Sequence, residues 1–231
     1  VFRSEKIKKM FLRLYDGNKN EQDYLKILFG INKTDVIKDN KLKDKILSPN
    51  KVITVASSLK KLKNINILIE AFTKLENRDG YILKIIGDGP ERKRLEELVK
   101  NSHYETKVIF EGAKPRDYVL KAMEDSYIFA MASSPETFGL VYIEAMAKGC
   151  ITIGSKGEGI DGVIIDNKNG FLCNPNDVED LKITLEKAID LNLQERKKII
   201  NNAVNTARQL NNEDLASNFL KNIKDTIENR S

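Results

Sequence analysis

The sequence predicts an α/β domain, a parallel sheet covered by helices on both faces, and three observations lead there. Strand-like and helix-like patterns alternate at roughly 25-residue steps through residues 51–191. The strand-like runs, such as KVITVAS and CITIGS, are short and almost wholly apolar, which suits strands buried on both faces. Glycine or proline stands at several of the joints where the chain has to turn.

The elements follow in order along the chain. Residues 4–15 place Ile7, Met10, Phe11 and Leu14 at helical spacing among Lys6, Lys8, Lys9 and Arg13, which reads as a basic amphipathic helix. A polar stretch follows with an apolar island at 25–31, then a charged segment at 38–45 with no assigned element, ending at Pro49. Residues 51–57 read as a buried strand and 67–75 (ILIEAFTKL) as a helix. YILKIIGDG at 81–89 is a strand ending in a glycine turn, and PERKRLEELVKN at 90–101 is a helix with Pro90 in its first turn. A strand at 108–112, a helix at 118–126, a strand at 126–132 and a helix at 139–149 closed by Gly149 come next. CITIGS (150–155), VIIDN (163–167) and GFLCNP (170–175) read as short strands, and 177–191, 194–210 and 212–229 as helices.

Composition bounds the partners. Of 231 residues, 41% are hydrophobic and 32% charged, enough apolar content for a sizeable core. The 39 Lys and Arg against 34 Asp and Glu leave a net charge of +5, too mild and dispersed for a nucleic-acid surface. Cys150 and Cys173 lie in apolar strand contexts, so a reducing, cytoplasmic setting is expected rather than a disulfide framework. No apolar run is long enough for a spanning helix. Valine stands at position 1, and the sequence reads as part of a longer chain.

In open parallel sheets ligands bind beyond the carboxyl ends of the strands. The loops 57–64, 87–90, 112–116 and 133–139 are therefore the candidates. The last leads into SPETFGLVYIEAMAKG, residues 134–149, where Glu136 and Glu144 bracket a Phe138–Gly139 step in an otherwise apolar run. A helix N-terminus preceded by glycine offers N–H groups and a partial positive charge to a phosphate or diphosphate. A glutamate one turn further in can accept from two vicinal ribose hydroxyls, leaving the other glutamate for a hexose. The plainer reading makes Ser134 an N-cap and Pro135 the first turn, with a surface glutamate. On one helix the two glutamates would lie about 12 Å apart, beyond the carboxylate separations of glycoside hydrolysis.

These residues resemble the retaining family 4 glycosyltransferases of GT-B architecture. That family's signature is two glutamates with seven residues between them around an F-G-L step, and it stands here as Glu136-TFGLVYI-Glu144-AMAKG. LKIIGDGPERKRLEEL, VIFEGA and NGFLCNPNDVEDL are similar to further segments in the family's order, and FGIN (29–32) to its lead-in. The resemblance covers about residues 28–190. It implies a Rossmann-like donor-binding domain at 28–190, the C-terminal half of a GT-B enzyme. Residues 1–27 would then be a remnant of the N-terminal domain with its linker helix, and 191–231 helices packing back toward that domain. It also implies hexosyl transfer, with retention, from a nucleoside diphosphate sugar, most commonly a UDP-sugar. The acceptor would be a glycan or lipid-linked molecule of bacterial surface polysaccharide synthesis, held by the other domain. Peripheral membrane contact through the basic helix is the alternative to its docking on that domain.

Carried over by position, Glu144 would hold the ribose hydroxyls and Glu136 the transferred sugar. The amides of Phe138, Gly139, Leu140 and Val141 would meet the diphosphate, and Gly112, Ala113 and Lys114 would lie near the base. Lys63 matches the family lysine that neutralises the leaving diphosphate; its plainer reading is one more solvated lysine of KKLK. Three positions depart from the family. Ser58 replaces the usual Arg, leaving Lys60 or Lys61 to supply that charge; Ala132 replaces a Pro; Asp161–Gly162 replaces Pro-Glu. There is no D-x-D motif and no Cys/His cluster, so no metal and no cofactor is expected. GDGP at 87–90 lacks dinucleotide-fold spacing, and His103 reads as a surface residue. A binding module without chemistry of its own is the alternative that Ser58 leaves open.

Overall fold

The computed structural model describes residues 30–76, 79–217 and 220–221. The helix expected at 4–15 and most of the island at 25–31 lie outside the described residues, as does much of the helix expected at 212–229. Six strands pair in parallel: β1 Val52–Ala56, β2 Ile82–Ile86, β3 Val108–Gly112, β4 Ile128–Ala130, β5 Ile151–Ser155 and β6 Phe171–Cys173. Their order across the sheet is β3-β2-β1-β4-β5-β6, so the direction of travel reverses between β1 and β4. The α-helices are α1 Asp39–Leu47, α2 Ile65–Thr73, α3 Arg92–Asn101, α4 Arg116–Glu124, α5 Leu140–Ala147, α6 Val178–Ile189 and α7 Leu193–Gln209. Right-handed crossovers put α2 and α3 on one face, joined there by α6. After the reversal α4 and α5 fall on the other, where α7 and α1 join them.

Layering explains the composition of α5. It lies between β5 and α7, so Tyr142, Ile143, Ala145, Met146 and Ala147 are all buried. α7 supplies Ile199, Ile200, Ala203, Val204 and Ala207 as its buried stripe, and an Asn192–Glu195 capping box fixes its start. The helix beyond residue 190 thus spends its apolar face within this domain.

Two segments differ from the sequence expectation. The charged run at 38–45 enters α1, whose Leu42 and Ile46 face inward one turn apart together with Lys45. Lys45 is buried, and its ammonium donates to the carbonyls of Met123 and Lys148, both at 2.8 Å, capping the C-terminal ends of α4 and α5. Burial pushes the Lys45 ammonium pKa down and the adjacent Cys150 thiol up. Residues 163–167, expected as a strand, form turns with isolated bridges. Asn169 is the cause: its side chain accepts from Ile165 N at 2.7 Å and donates to Val163 O at 2.9 Å, taking backbone groups a ladder would use.

At the carboxyl edge the loops after β1, β2 and β3 are stitched by backbone bonds: Ser57 N to Ile86 O, Leu59 N to Asp88 O, Glu91 N to Leu59 O and Gly87 N to Gly112 O. The approach is close enough that a Cβ on Gly87, at φ +141°, would lie 1.8 Å from Ser57 O. Gly87→Ala is expected to lower the stability of the chain by about 2 kcal/mol or more. Urea unfolding should show a lower midpoint at unchanged slope; an unchanged midpoint would refute the packing of these loops.

Candidate functional site

The crevice at the carboxyl end of an open parallel sheet lies where strand order reverses, and here the loops after β1 and β4 flank it. They are held together by main chain and side chain. Ser134 N donates to Leu62 O at 2.8 Å, and Asn64 Nδ2 donates to Ala132 O at 2.7 Å from a left-handed backbone position. Across this seam Lys63 Nζ meets Glu136 Oε2 at 2.7 Å. The lysine closes a short 3-10 turn, Lys61–Lys63, and is mostly buried; it is not one more solvated lysine. Glu136 Oε2 also accepts from Ser133 Oγ at 3.1 Å, and Oε1 accepts from Thr137 N at 3.0 Å. The carboxylate is therefore fixed from three sides.

Glu136 lies in a loop and not on the helix. α5 starts at Leu140 with Gly139 as its N-cap, at φ 76°, where a Cβ would press on the Tyr142 ring at 2.4 Å. Ser134 is consequently no helix cap: its hydroxyl donates to Glu158 Oε1 at 2.9 Å. The N–H groups of Gly139, Leu140 and Val141 take no partner among the described residues. Phe138, beside them, is buried.

Sequence reasoning missed Glu158. This buried carboxylate accepts from Glu136 N at 2.6 Å as well as from Ser134, tying the loop after β5 to the loop after β4. Gly159 N returns a bond to Glu136 O at 2.9 Å, and a Cβ on Gly159 would strike Thr137 O at 2.1 Å. Asp161, one of the departures noted above, accepts from Gly157 N at 2.6 Å and closes this turn. The only signal for Glu158 in the sequence is a charge set between two glycines, Gly157 and Gly159.

Glu144 stands apart from this cluster, one turn into α5. Its Oε1 accepts from Arg116 Nε at 2.9 Å and forms an ion-pair contact with Nη2 of the same guanidinium at 2.8 Å. The same guanidinium reaches Asp35 Oδ2 at 2.7 Å, in the 3-10 turn Lys33–Asp35. Burial pushes the Glu144 carboxyl above its usual range against the opposing pull of Arg116. Burial acts upward on Asp35 too, yet there Arg116 prevails and the carboxyl is held low. Neither Arg116 nor Asp35 was singled out from sequence, because nothing local marks a partner 28 residues away.

The remaining expected positions are more open. Ser58, Lys60 and Lys61 are exposed on the β1 loop. Gly112 adopts φ 73°, and Ala113 and Lys114 after it are exposed, with the Lys114 ammonium 5.2 Å from the Tyr118 ring centre. His103 is exposed. No helix among the described residues is long and apolar enough to cross a membrane.

A family model described as Glycosyl transferases group 1 matches residues 36–206. The chain belongs to this glycosyltransferase family. It is 36% identical over 156 residues to the N-acetyl-alpha-D-glucosaminyl L-malate synthase of Bacillus anthracis, covering 65% of this chain and 40% of that protein. It is 34% identical over 121 residues to a sulfoquinovosyl transferase of Arabidopsis thaliana, covering 51% of this chain and 22% of that one. The chain thus spans less than half the length of these curated relatives. Among solved structures, Anabaena HepE with UDP and glucose superposes with a TM-score of 0.79 at 22% identity, over 99% of this chain and 62% of HepE. Sucrose-phosphate synthase of Thermosynechococcus elongatus gives a TM-score of 0.81 at 21% identity, over 100% of this chain and 58% of that one. These solved structures share the parallel-sheet fold with this chain, and the expected fold class stands.

In this glycosyltransferase domain Glu158→Ala would leave buried Glu136 N without its acceptor. A loss of about 1–3 kcal/mol is expected. It should appear as a lower thermal midpoint with faster amide exchange at Glu136; unchanged exchange there would contradict the tie.

Proposed function

We propose that the chain is the donor-binding part of a retaining glycosyltransferase, the C-terminal half of a GT-B enzyme centred on residues 28–190. It would transfer a hexose from a nucleoside diphosphate sugar to a glycan or lipid-linked acceptor held by a second domain. The observation that carries this reading is the Lys63–Glu136 contact at the strand-order reversal, beside the unpartnered amides that open α5.

The chemistry follows from the charges. A diphosphate at the α5 N-terminus lies in the partial positive charge of that helix. There it competes with Glu136 for the Lys63 ammonium, and as Lys63 turns to the leaving phosphate, Glu136 Oε2 is released to accept from a sugar hydroxyl. The lysine is held at the seam in advance, so little reorganisation accompanies bond breaking at the anomeric carbon. With Ser58 in place of an Arg, Lys63 carries that charge together with the exposed Lys60 and Lys61. Glu144, one turn into the helix, accepts from the ribose hydroxyls. Similarity to an N-acetyl-alpha-D-glucosaminyl L-malate synthase and a sulfoquinovosyl transferase, and the UDP bound to HepE, support a nucleotide-sugar donor. Likeness to the Escherichia coli putative colanic acid biosynthesis glycosyltransferase WcaL, 27% identical over 163 residues, supports a role in surface polysaccharide synthesis.

Calorimetric titration with UDP, GDP, ADP and their sugar conjugates tests the reading. Glu144→Ala is expected to weaken one nucleoside diphosphate about tenfold or more through the ribose. Glu136→Ala should spare that diphosphate and weaken only the sugar conjugate. Equal losses for both ligands in both variants would refute the division of roles. Because the sequence carries no D-x-D motif, affinity for the donor is also expected to survive a chelator unchanged; loss of binding that returns with a divalent ion would overturn the metal-free reading.

A further inference from the structure

Glu144 is a carboxylate inside an otherwise apolar helix, 9% exposed, and both of its contacts fall on one oxygen. Its Oε2 accepts no hydrogen bond among the described residues. Arg116 makes this asymmetry: Nε and Nη2 converge on Oε1, while Nη1 and Nη2 take Asp35 at 3.4 Å and 2.7 Å. The guanidinium is thus gripped from two elements, and its planar fork allows little freedom. Arg116 is also the first residue of α4, directly after the loop that carries Gly112, Ala113 and Lys114.

We propose that Arg116 is the positioning residue of the donor site, a clamp that occupies Oε1 of Glu144, leaves Oε2 open to a ribose hydroxyl, and couples the ribose carboxylate to the neighbouring loop 112–115. The inference rests on the ribose reading of Glu144 and assigns the residue that readies it. A ribose hydroxyl donates to an ionised carboxylate, and a protonated acid is the poorer acceptor. Burial works against ionisation of Glu144, and Asp35 adds like charge; Arg116 opposes both, with Lys148 acting on Asp35 from the end of α5. Removing the guanidinium leaves burial and Asp35 unopposed, so the carboxyl titrates at higher pH and the acceptor is lost earlier on acidification.

The test is a carbon-13 NMR titration of the Glu144 carboxyl in the free chain, comparing the parent with Arg116→Gln and with Arg116→Lys as the rescue. The signal is assigned with Glu144→Gln. The midpoint is expected to rise by about one pH unit or more in R116Q and to return most of the way in R116K. UDP titration over about pH 5 to 8 should then show R116Q losing about tenfold in affinity at acid pH where the parent still binds. An unmoved Glu144 midpoint in R116Q, whatever happens to UDP affinity, would overturn the proposal. A moved midpoint with equal UDP affinity in parent and E144Q would leave the clamp standing and remove the ribose reading instead.

Discussion

A central strand can have a neighbour on each side, yet right-handed crossovers to those neighbours must run over opposite faces of the sheet. β1 is that strand, with β2 on one flank and β4 on the other. The helices α2 and α5 therefore leave the carboxyl edge in different directions, and the loops leading to them part around a crevice. Lys63 comes from one lip and Glu136 from the other. Neither residue's local sequence brings them together; the reversal of strand order does.

The second constraint is desolvation. Three glutamates, Glu136, Glu144 and Glu158, are buried in or beside this crevice, and a buried carboxylate is tolerated only with donors around it. The chain answers in three ways: an ammonium for Glu136, a guanidinium for Glu144, and a backbone amide with a hydroxyl for Glu158. Each answer also fixes a loop in space, so the groups that would meet a charged ligand are already held before it arrives. Such an arrangement trades some stability for readiness, since ion pairs taken out of water seldom stabilise a fold on balance.

The architecture was legible because burial writes a period into the sequence. β4 is apolar throughout and β1, β2 and β5 are nearly so, broken by Thr54, Lys84, Thr152 and Ser155. The other helices from α2 to α7 show stripes and α5 is apolar on nearly every side, with boundaries shifted by one or two residues at most ends. α1 was hidden by its own charges, because its inward face includes Lys45, a residue type that pattern reading places outside. VIIDN looks like a strand until Asn169 is found competing for its backbone. At the site, Glu136, Glu144 and Lys63 could be named from a motif, whereas Arg116, Asp35 and Glu158 could not. Their meaning lies in partners brought close only by the fold, and a lone charge near a glycine carries no trace of that.

Lys45 has a bearing on how the molecule can be divided. Its ammonium plugs the carbonyl ends of α4 and α5 from beneath, on the side of the sheet remote from the crevice. Of these two helices, α4 carries Arg116 at its other end and α5 carries Glu144 midway along its length. A fragment cut neatly at the first strand would keep Lys63, Arg116, Glu136, Glu144 and Glu158 but lose Asp35 and the plug, exposing two sets of orphaned carbonyls and the Cys150 thiol. A piece that keeps these contacts thus has to include α1, and a charged stretch whose pattern alone assigned it no element is the keystone of that end of the sheet.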